Sequence, residues 1–281
     1  MVWKASSGRT YLIRKSAAGA QKSLGPRTPE TEVIFTKFQA NKRRAEDRLK
    51  ALKERADEQR KLNRLYGIGR TPAIVVRALG ALEVAGLDDK FLVVGTQAIY
   101  AYETAAGVLV DAAALATRDL DLLFDTRKRM SFLTTLRQRE EPSFIKVLQK
   151  ADSSFRVMPN QLQTAVNDDG FEIDIIRRQA TDGADHPMRM SEDEDDFWAA
   201  QVSQGQGILS ARRFEHLVVS PTGEIATMRT VHPLDFIRLK QQLADRPGRG
   251  IKASKDRLQS QIVQRLWDDY LQHVNAQEDA R

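Results

Sequence analysis

Asp119 and Asp121 stand two residues apart in the run Asp119-Leu120-Asp121-Leu122-Leu123-Phe124. Side chains alternate along a β-strand, so in a strand both carboxylates point from one face and the two leucines from the other. Two like charges side by side repel. A divalent cation relieves that repulsion, and Mg²⁺ prefers carboxylate oxygens together with substrate phosphates. Taken alone, Asp-x-Asp also reads as the polar face of an edge strand, which needs no metal. A second run, Gly170-Phe171-Glu172-Ile173-Asp174-Ile175-Ile176, repeats the arrangement, with Glu172 and Asp174 on one side and the apolar residues on the other. If the two strands pair, three or four carboxylates converge. Two-metal phosphoryl transfer needs such a cluster, because one ion lowers the pKa of an attacking hydroxyl while another stabilises a departing pyrophosphate. Only one acid of the second strand need serve.

Upstream, the apolar run Phe91-Leu92-Val93-Val94 leads straight into Gly95-Thr96 and a helical stretch over residues 97–102. Glycine at a strand end lets backbone approach a phosphate. The next hydroxyl can bond that phosphate, and the helix dipole favours its negative charge. The plainer alternative is a tight turn with a cap.

These residues need a sheet to hold them. From residue 90 onward, short apolar runs bounded by polar residues alternate with helical patterns, an α/β or α+β signature. The spacing predicts strands near 90–94, 119–124, 154–158 and 170–176, with helices near 96–105 and 128–140. A hairpin is predicted through Ser220-Pro221-Thr222-Gly223, followed by helices at 233–244 and 254–273. Residues 1–27 read as one strand, a small hairpin or an irregular arm. Thr28-Pro29, with Glu30 and Glu32 in the first turn, opens a long helix. Its apolar seam is interrupted by Lys42, Gln59 and Asn63. Thr71-Pro72 repeats the signal ahead of a compact apolar helix that ends at Gly86. The acidic run Ser191-Glu192-Asp193-Glu194-Asp195-Asp196 reads as a helix start or a solvated loop.

A chain of 281 residues with 41% hydrophobic and 29% charged side chains is ordinary globular composition, long enough to bury a real core. No apolar run is long enough to span a bilayer, and no export signal is visible in the first twenty residues, so the cytoplasm is the expected compartment and no membrane the expected partner. The sequence contains no cysteine, which removes disulfides, thiolate metal sites and cysteine nucleophiles. His186, His216, His232 and His273 show no metal-ligand spacing. No Gly-x-Ser-x-Gly turn and no P-loop occurs, so serine-hydrolase and Walker-type chemistry lack an anchor. Residues 1–70 carry 18 basic and 7 acidic side chains, while the remainder carries 26 basic and 31 acidic. A basic arm on an acidic body suits a polyanionic partner, although a solvated helix face has the same composition.

Strand, Gly-Thr, helix, Asp-x-Asp in a strand, then a later acidic strand: this order resembles the DNA-polymerase-beta-like nucleotidyltransferase superfamily. Within it the chain is most similar to small bacterial nucleotidyltransferase-domain proteins related to abortive-infection and toxin–antitoxin enzymes. The resemblance covers residues 71–180 and extends to the C-terminal helices, where Lys240, Arg246, Lys252, Lys255 and Asp256 look like the basic and Lys-Asp signature that follows the core in some of those proteins. It implies that Gly95 and Thr96, the latter in place of a serine, grip nucleotide phosphate. It also implies that Asp119 and Asp121 are metal ligands, and that Asp174 completes the metal site and activates the acceptor hydroxyl, with Glu172 as the competing third acid. Arg118 departs from the small polar residue often found before the first acid.

The expected fold is therefore α+β: a polymerase-beta-like nucleotidyltransferase core of mixed sheet flanked by helices, with a basic helical N-terminal arm and a helical C-terminal region. The expected divisions are 1–70 for the arm, 71–200 for the core, and 201–281 for the hairpin and C-terminal helices. The resemblance implies a Mg²⁺-dependent enzyme, with a two-metal site, that moves a nucleoside monophosphate from an NTP to a hydroxyl of RNA or protein. Lys240 and Lys255 would add phosphate contacts through charge. RNA would meet the basic arm, and a regulatory protein partner fits the toxin–antitoxin likeness. The alternative is a non-catalytic module on a degenerate transferase fold that binds nucleic acid or a partner. A third reading makes residues 30–65 an oligomerisation helix.

Overall fold

The structure is a computed structural model that describes residues 1–6, 8–16, 19–140, 142–180 and 187–272. His186, His273 and the part of the polar stretch at 181–186 lie outside the described residues. The chain forms two compact units, Met1–Lys61 and Leu62–Arg281.

In the first unit β1 (Val2–Ser6), β2 (Arg9–Lys15) and β3 (Gln21–Pro26) form an antiparallel meander, one strand more than the small hairpin that is among the readings of residues 1–27, so the arm is a sheet followed by a helix. Leu12 is fully buried, and Trp3 packs on Phe35 with ring centroids 5.4 Å apart while the Arg27 guanidinium lies over the same indole. One aromatic face thus ties the meander to α1 (Pro29–Leu65). The helix begins where the Thr28-Pro29 signal places it, and the residues from Gln39 to Leu62 are exposed on every side of it.

The second unit opens with α2 (Ala73–Ala85), closed by Gly86 in the left-handed conformation. β4 (Phe91–Val94) is buried throughout and runs into a single tight turn, Gly95–Ala98, before α3 (Ile99–Ala106). There follow α4 (Ala112–Leu115), β5 (Asp119–Phe124), α5 (Arg129–Arg137), α6 (Phe144–Leu148), β6 (Arg156–Met158), β7 (Gln161–Val166) and β8 (Glu172–Arg178). Next come β9 (Met188–Arg189), β10 (Trp198–Val202), α7 (Gly205–Ser210), the hairpin of β11 (Arg213–Val219) and β12 (Ile225–Val231), α8 (Pro233–Ala244) and α9 (Ile251–Leu266).

The large sheet is mixed, in the order β4-β5-β8-β10-β9. β4 is antiparallel to β5, while β5 and β10 are both parallel to β8. β7 pairs antiparallel with the start of β8, on the edge that β10 takes farther along. This is a mixed α/β architecture, as the alternating pattern implies. β7 was not expected, because Gln161, Gln163 and Thr164 dilute its apolar signal. β8 lies two residues later than the predicted 170–176, because Gly170 makes a left-handed turn and Arg177 and Arg178 extend the strand. Behind the sheet, Phe91 stacks on Phe144 at 4.9 Å and Phe124 meets Phe132 edge-on at 5.0 Å, giving the core a rigid aromatic centre.

The acidic run is neither a helix start nor wholly solvated. Asp196 is buried and accepts hydrogen bonds from the backbone N–H groups of Phe144 and Ile145 at 2.7 and 2.9 Å, capping α6 from a distant loop.

Candidate active site

Parallel pairing of β5 with β8 sets Asp121 opposite Asp174 and Asp119 opposite Glu172. Residues opposed across paired strands share a face, so all four carboxylates leave the sheet on one side. Leu120, Leu122, Ile173 and Ile175 fill the other side and are fully buried. Burial of those four fixes the register, since a slip of one residue would put the acids into the core.

β4 brings the glycine turn to the same place. Val94 is the last residue paired with β5, opposite Asp121, and Gly95 follows at φ +70°. A β-carbon at Gly95 would overlap the Asp121 carboxylate. The position therefore needs glycine both for its dihedral angle and for space. Gln97 fastens the turn to β5 by donating to the Asp119 carbonyl at 3.1 Å.

A cavity of about 470 Å³ opens on this face. Asp119, Asp121 and Asp174 line it, with Gly95 and Thr96 beside them; Glu172 is not among its lining side chains. Helices α8 and α9, with the loop between them, supply Lys240, Arg249, Lys252 and Lys255, while Ile176, Val202, Ile208, Leu239 and Leu243 add an apolar wall. An acidic floor facing a basic side is the charge arrangement that suits a ligand carrying phosphates and a cation together.

Burial pushes the Asp121 carboxyl up to about 7, aided by the charges of Asp119 and Asp174 and opposed by Lys240 and Lys252. Asp174 is also raised, again by burial first and then by Asp119, against a lowering hydrogen bond from Thr164. Thr117 donates to Asp119 and Thr164 donates to Asp174. Among the described residues no three acidic or imidazole side chains stand ready as a metal-binding group. As donors, however, Asp119, Asp121 and Asp174 suit a hard divalent cation: all offer carboxylate oxygen, and two carry an ionisation penalty that a positive charge would relieve.

The cations are held differently from one another. Lys240 is buried, with Nζ 2.9 Å from Asp256 Oδ1, and Arg249 Nε lies 2.9 Å from Asp256 Oδ2. Burial depresses the Lys240 pKa, with Asp256 opposing. Lys255 donates to the Ala116 carbonyl at 2.8 Å. Arg246 instead reaches Ser203, and Arg118 donates to the Asp169 carbonyl, bracing the start of β5 against the turn before β8.

Sequence reasoning missed Thr117, Thr164, Arg249 and Gln259. Thr164 sits on the unexpected β7. Gln259 carried a usable signal: Lys252, Lys255, Asp256 and Gln259 follow the three-and-four spacing of one helix face. Its amide donates to Thr96 Oγ1 at 3.0 Å and to the Ala114 carbonyl at 2.8 Å.

Residues 73–281 match the protein family described as Nucleotidyltransferase. Neither a curated protein nor a solved structure matches the chain.

Proposed function

Because the chain belongs to the nucleotidyltransferase family, whose members are transferases of phosphorus-containing groups, we propose that it moves a nucleoside monophosphate from an NTP to an acceptor hydroxyl. The observation that carries this reading is the register that opposes Asp121 to Asp174 at the edge of the Gly95 turn, inside a cavity whose other side is basic. The same arrangement supports a polymerase-beta-like core.

In this reading Gly95 and Thr96 receive the triphosphate through backbone approach and hydroxyl donation. Lys240, Lys252 and Lys255 face its negative charge. Asp174 takes the proton of the acceptor hydroxyl as its oxygen attacks the α-phosphorus; the bond from that phosphorus to the bridging oxygen breaks and pyrophosphate leaves. Its place on the cavity floor, opposite Asp121, suits it to act as a general base. Asp119, Asp121 and Asp174 would hold Mg²⁺, in one or two ions, which supplies neutralisation of phosphate charge and a more acidic acceptor hydroxyl. The apolar wall of Ile176, Val202 and Leu243 fits the face of a nucleobase.

The surplus of 18 basic over 7 acidic side chains in residues 1–70 supports RNA as the acceptor. The likeness to abortive-infection and toxin–antitoxin proteins supports a defence setting with a partner protein that regulates the enzyme.

The test is incubation of the protein with labelled NTPs, Mg²⁺ and total RNA or cell protein. Label should enter RNA and be lost in the double variant Asp119→Ala, Asp121→Ala. Undiminished transfer by that variant would overturn the catalytic assignment.

A further inference from the structure

From the hydrogen bonding between α9 and the glycine turn, we infer that Gln259 is a positioning residue: it fixes the Thr96 hydroxyl as a donor aimed at the phosphates of the bound nucleotide. This rests on the reading that Thr96 grips phosphate.

Gln259 is fully buried, and one nitrogen, Nε2, makes both of its hydrogen bonds, to the Ala114 carbonyl at 2.8 Å and to Thr96 Oγ1 at 3.0 Å. Which end of an amide faces a neighbour follows from the surrounding network. Here the Ala114 carbonyl decides, because a carbonyl only accepts, so the amide must present its nitrogen on that side. That nitrogen has no lone pair to offer, so Thr96 Oγ1 must be the acceptor of the second bond.

A hydroxyl has one proton and two acceptor lone pairs. With a lone pair taken by Gln259, the Thr96 proton is directed away from the helix, and the structure gives it no acceptor among the described residues. Thr96 lines the cavity, where a ligand acceptor such as a phosphate oxygen would complete this bond. Gln259 Oε1 is buried with no hydrogen-bond partner. An orphaned acceptor is costly. The two bonds from Nε2, to Ala114 and to Thr96, hold the amide in that orientation nonetheless. A threonine free to rotate would spend part of its time presenting a lone pair to the phosphate, which repels it.

The experiment is a double-mutant cycle on the full chain. Affinity for a non-hydrolysable NTP analogue with Mg²⁺ is measured by calorimetry, alongside KM and kcat, for Thr96→Val, Gln259→Met and the pair. Thr96→Val should weaken binding about tenfold, the worth of one hydrogen bond to a charged group. Gln259→Met should raise Kd and KM about threefold or more, and the pair should bind no more weakly than Thr96→Val alone. Losses that multiply in the pair, or no loss in Gln259→Met, overturn the role of Gln259. No loss in Thr96→Val overturns the phosphate grip itself, so the two failures are distinct. Should Gln259→Met melt too early to assay, the isosteric Gln259→Glu replaces it. A glutamate draws the hydroxyl proton to itself, so its penalty must shrink in the Thr96→Val background; an equal penalty in both backgrounds counts against the inference.

Discussion

Lys240 and Asp256 form a buried ion pair across α8 and α9, with Nζ and Oδ1 2.9 Å apart, and Arg249 closes on the other carboxylate oxygen at the same distance. One carboxylate therefore holds two of the cations that border the cavity. Asp256→Ala removes the carboxylate that pairs with a buried ammonium and should destabilise the protein by about 3 kcal/mol, the scale for breaking a buried pair from one side. Chemical denaturation measures it. Replacing both ends, Lys240→Met with Asp256→Leu, should recover most of that loss while leaving NTP affinity low, which separates the structural work of the pair from its charge.

Asp121 sits at a cost to the fold. Its carboxyl titrates near 7 in the folded chain against an ordinary value near 4 when unfolded, so the folded state favours the protonated form. The stability linked to that protonation is fully present below the unfolded value and is lost as pH rises through about 7. Asp174, raised for the same reason, contributes with the same sign. Without divalent cations the Tm should fall between pH 6 and 8 more steeply than in Asp121→Asn. At pH 8 that variant should be the more stable by up to roughly 4 kcal/mol, and it should transfer no label. Melting curves in a chelating buffer at several pH values give the comparison.

Gly95→Ala meets two penalties, a left-handed φ of +70° and overlap with the Asp121 carboxylate. Gly107 has nearly the same angle, +67°, with open space around it. Gly107→Ala should cost about 1 kcal/mol, the price of the dihedral alone, whereas Gly95→Ala should cost clearly more and abolish transfer. Denaturation midpoints and label transfer on the two variants isolate the steric part.

The sequence carried most of this site because its signals are local. Alternation alone puts Asp119 with Asp121 and Glu172 with Asp174, and Gly95 declares a turn. What brings them together is not local: β5 and β8 are separated by some fifty residues and pair in parallel, so their register follows from burying Leu120, Leu122, Ile173 and Ile175 on one side. β7 escaped notice because Gln161, Gln163 and Thr164 break up its apolar signal, and the role of Thr164 went with it. The N-terminal meander was legible only as a strand or a small hairpin, because its three strands bury little beyond Leu12. Gln259 was legible only as a position on a helix face, since a glutamine becomes informative once its two partners are known.

RNA as acceptor makes a prediction that the carboxylates do not enter. Arg43, Arg44 and Arg48 lie on the exposed span of α1, within the basic segment. Reversing all three to glutamate leaves a helix of good intrinsic propensity, so folding should persist. If α1 contacts phosphates, each lost contact removes about 0.7 from the slope of log affinity against log salt on single strands, or about 2 for three. The measurement is binding of the full chain and the triple variant to single-stranded RNA from 50 to 300 mM salt, with mass in solution followed in parallel. An unchanged slope would deny RNA to this helix. A change in mass without a change in slope would make the helix an oligomerisation element, because like charges along its face govern self-pairing as directly as they govern polyanion binding.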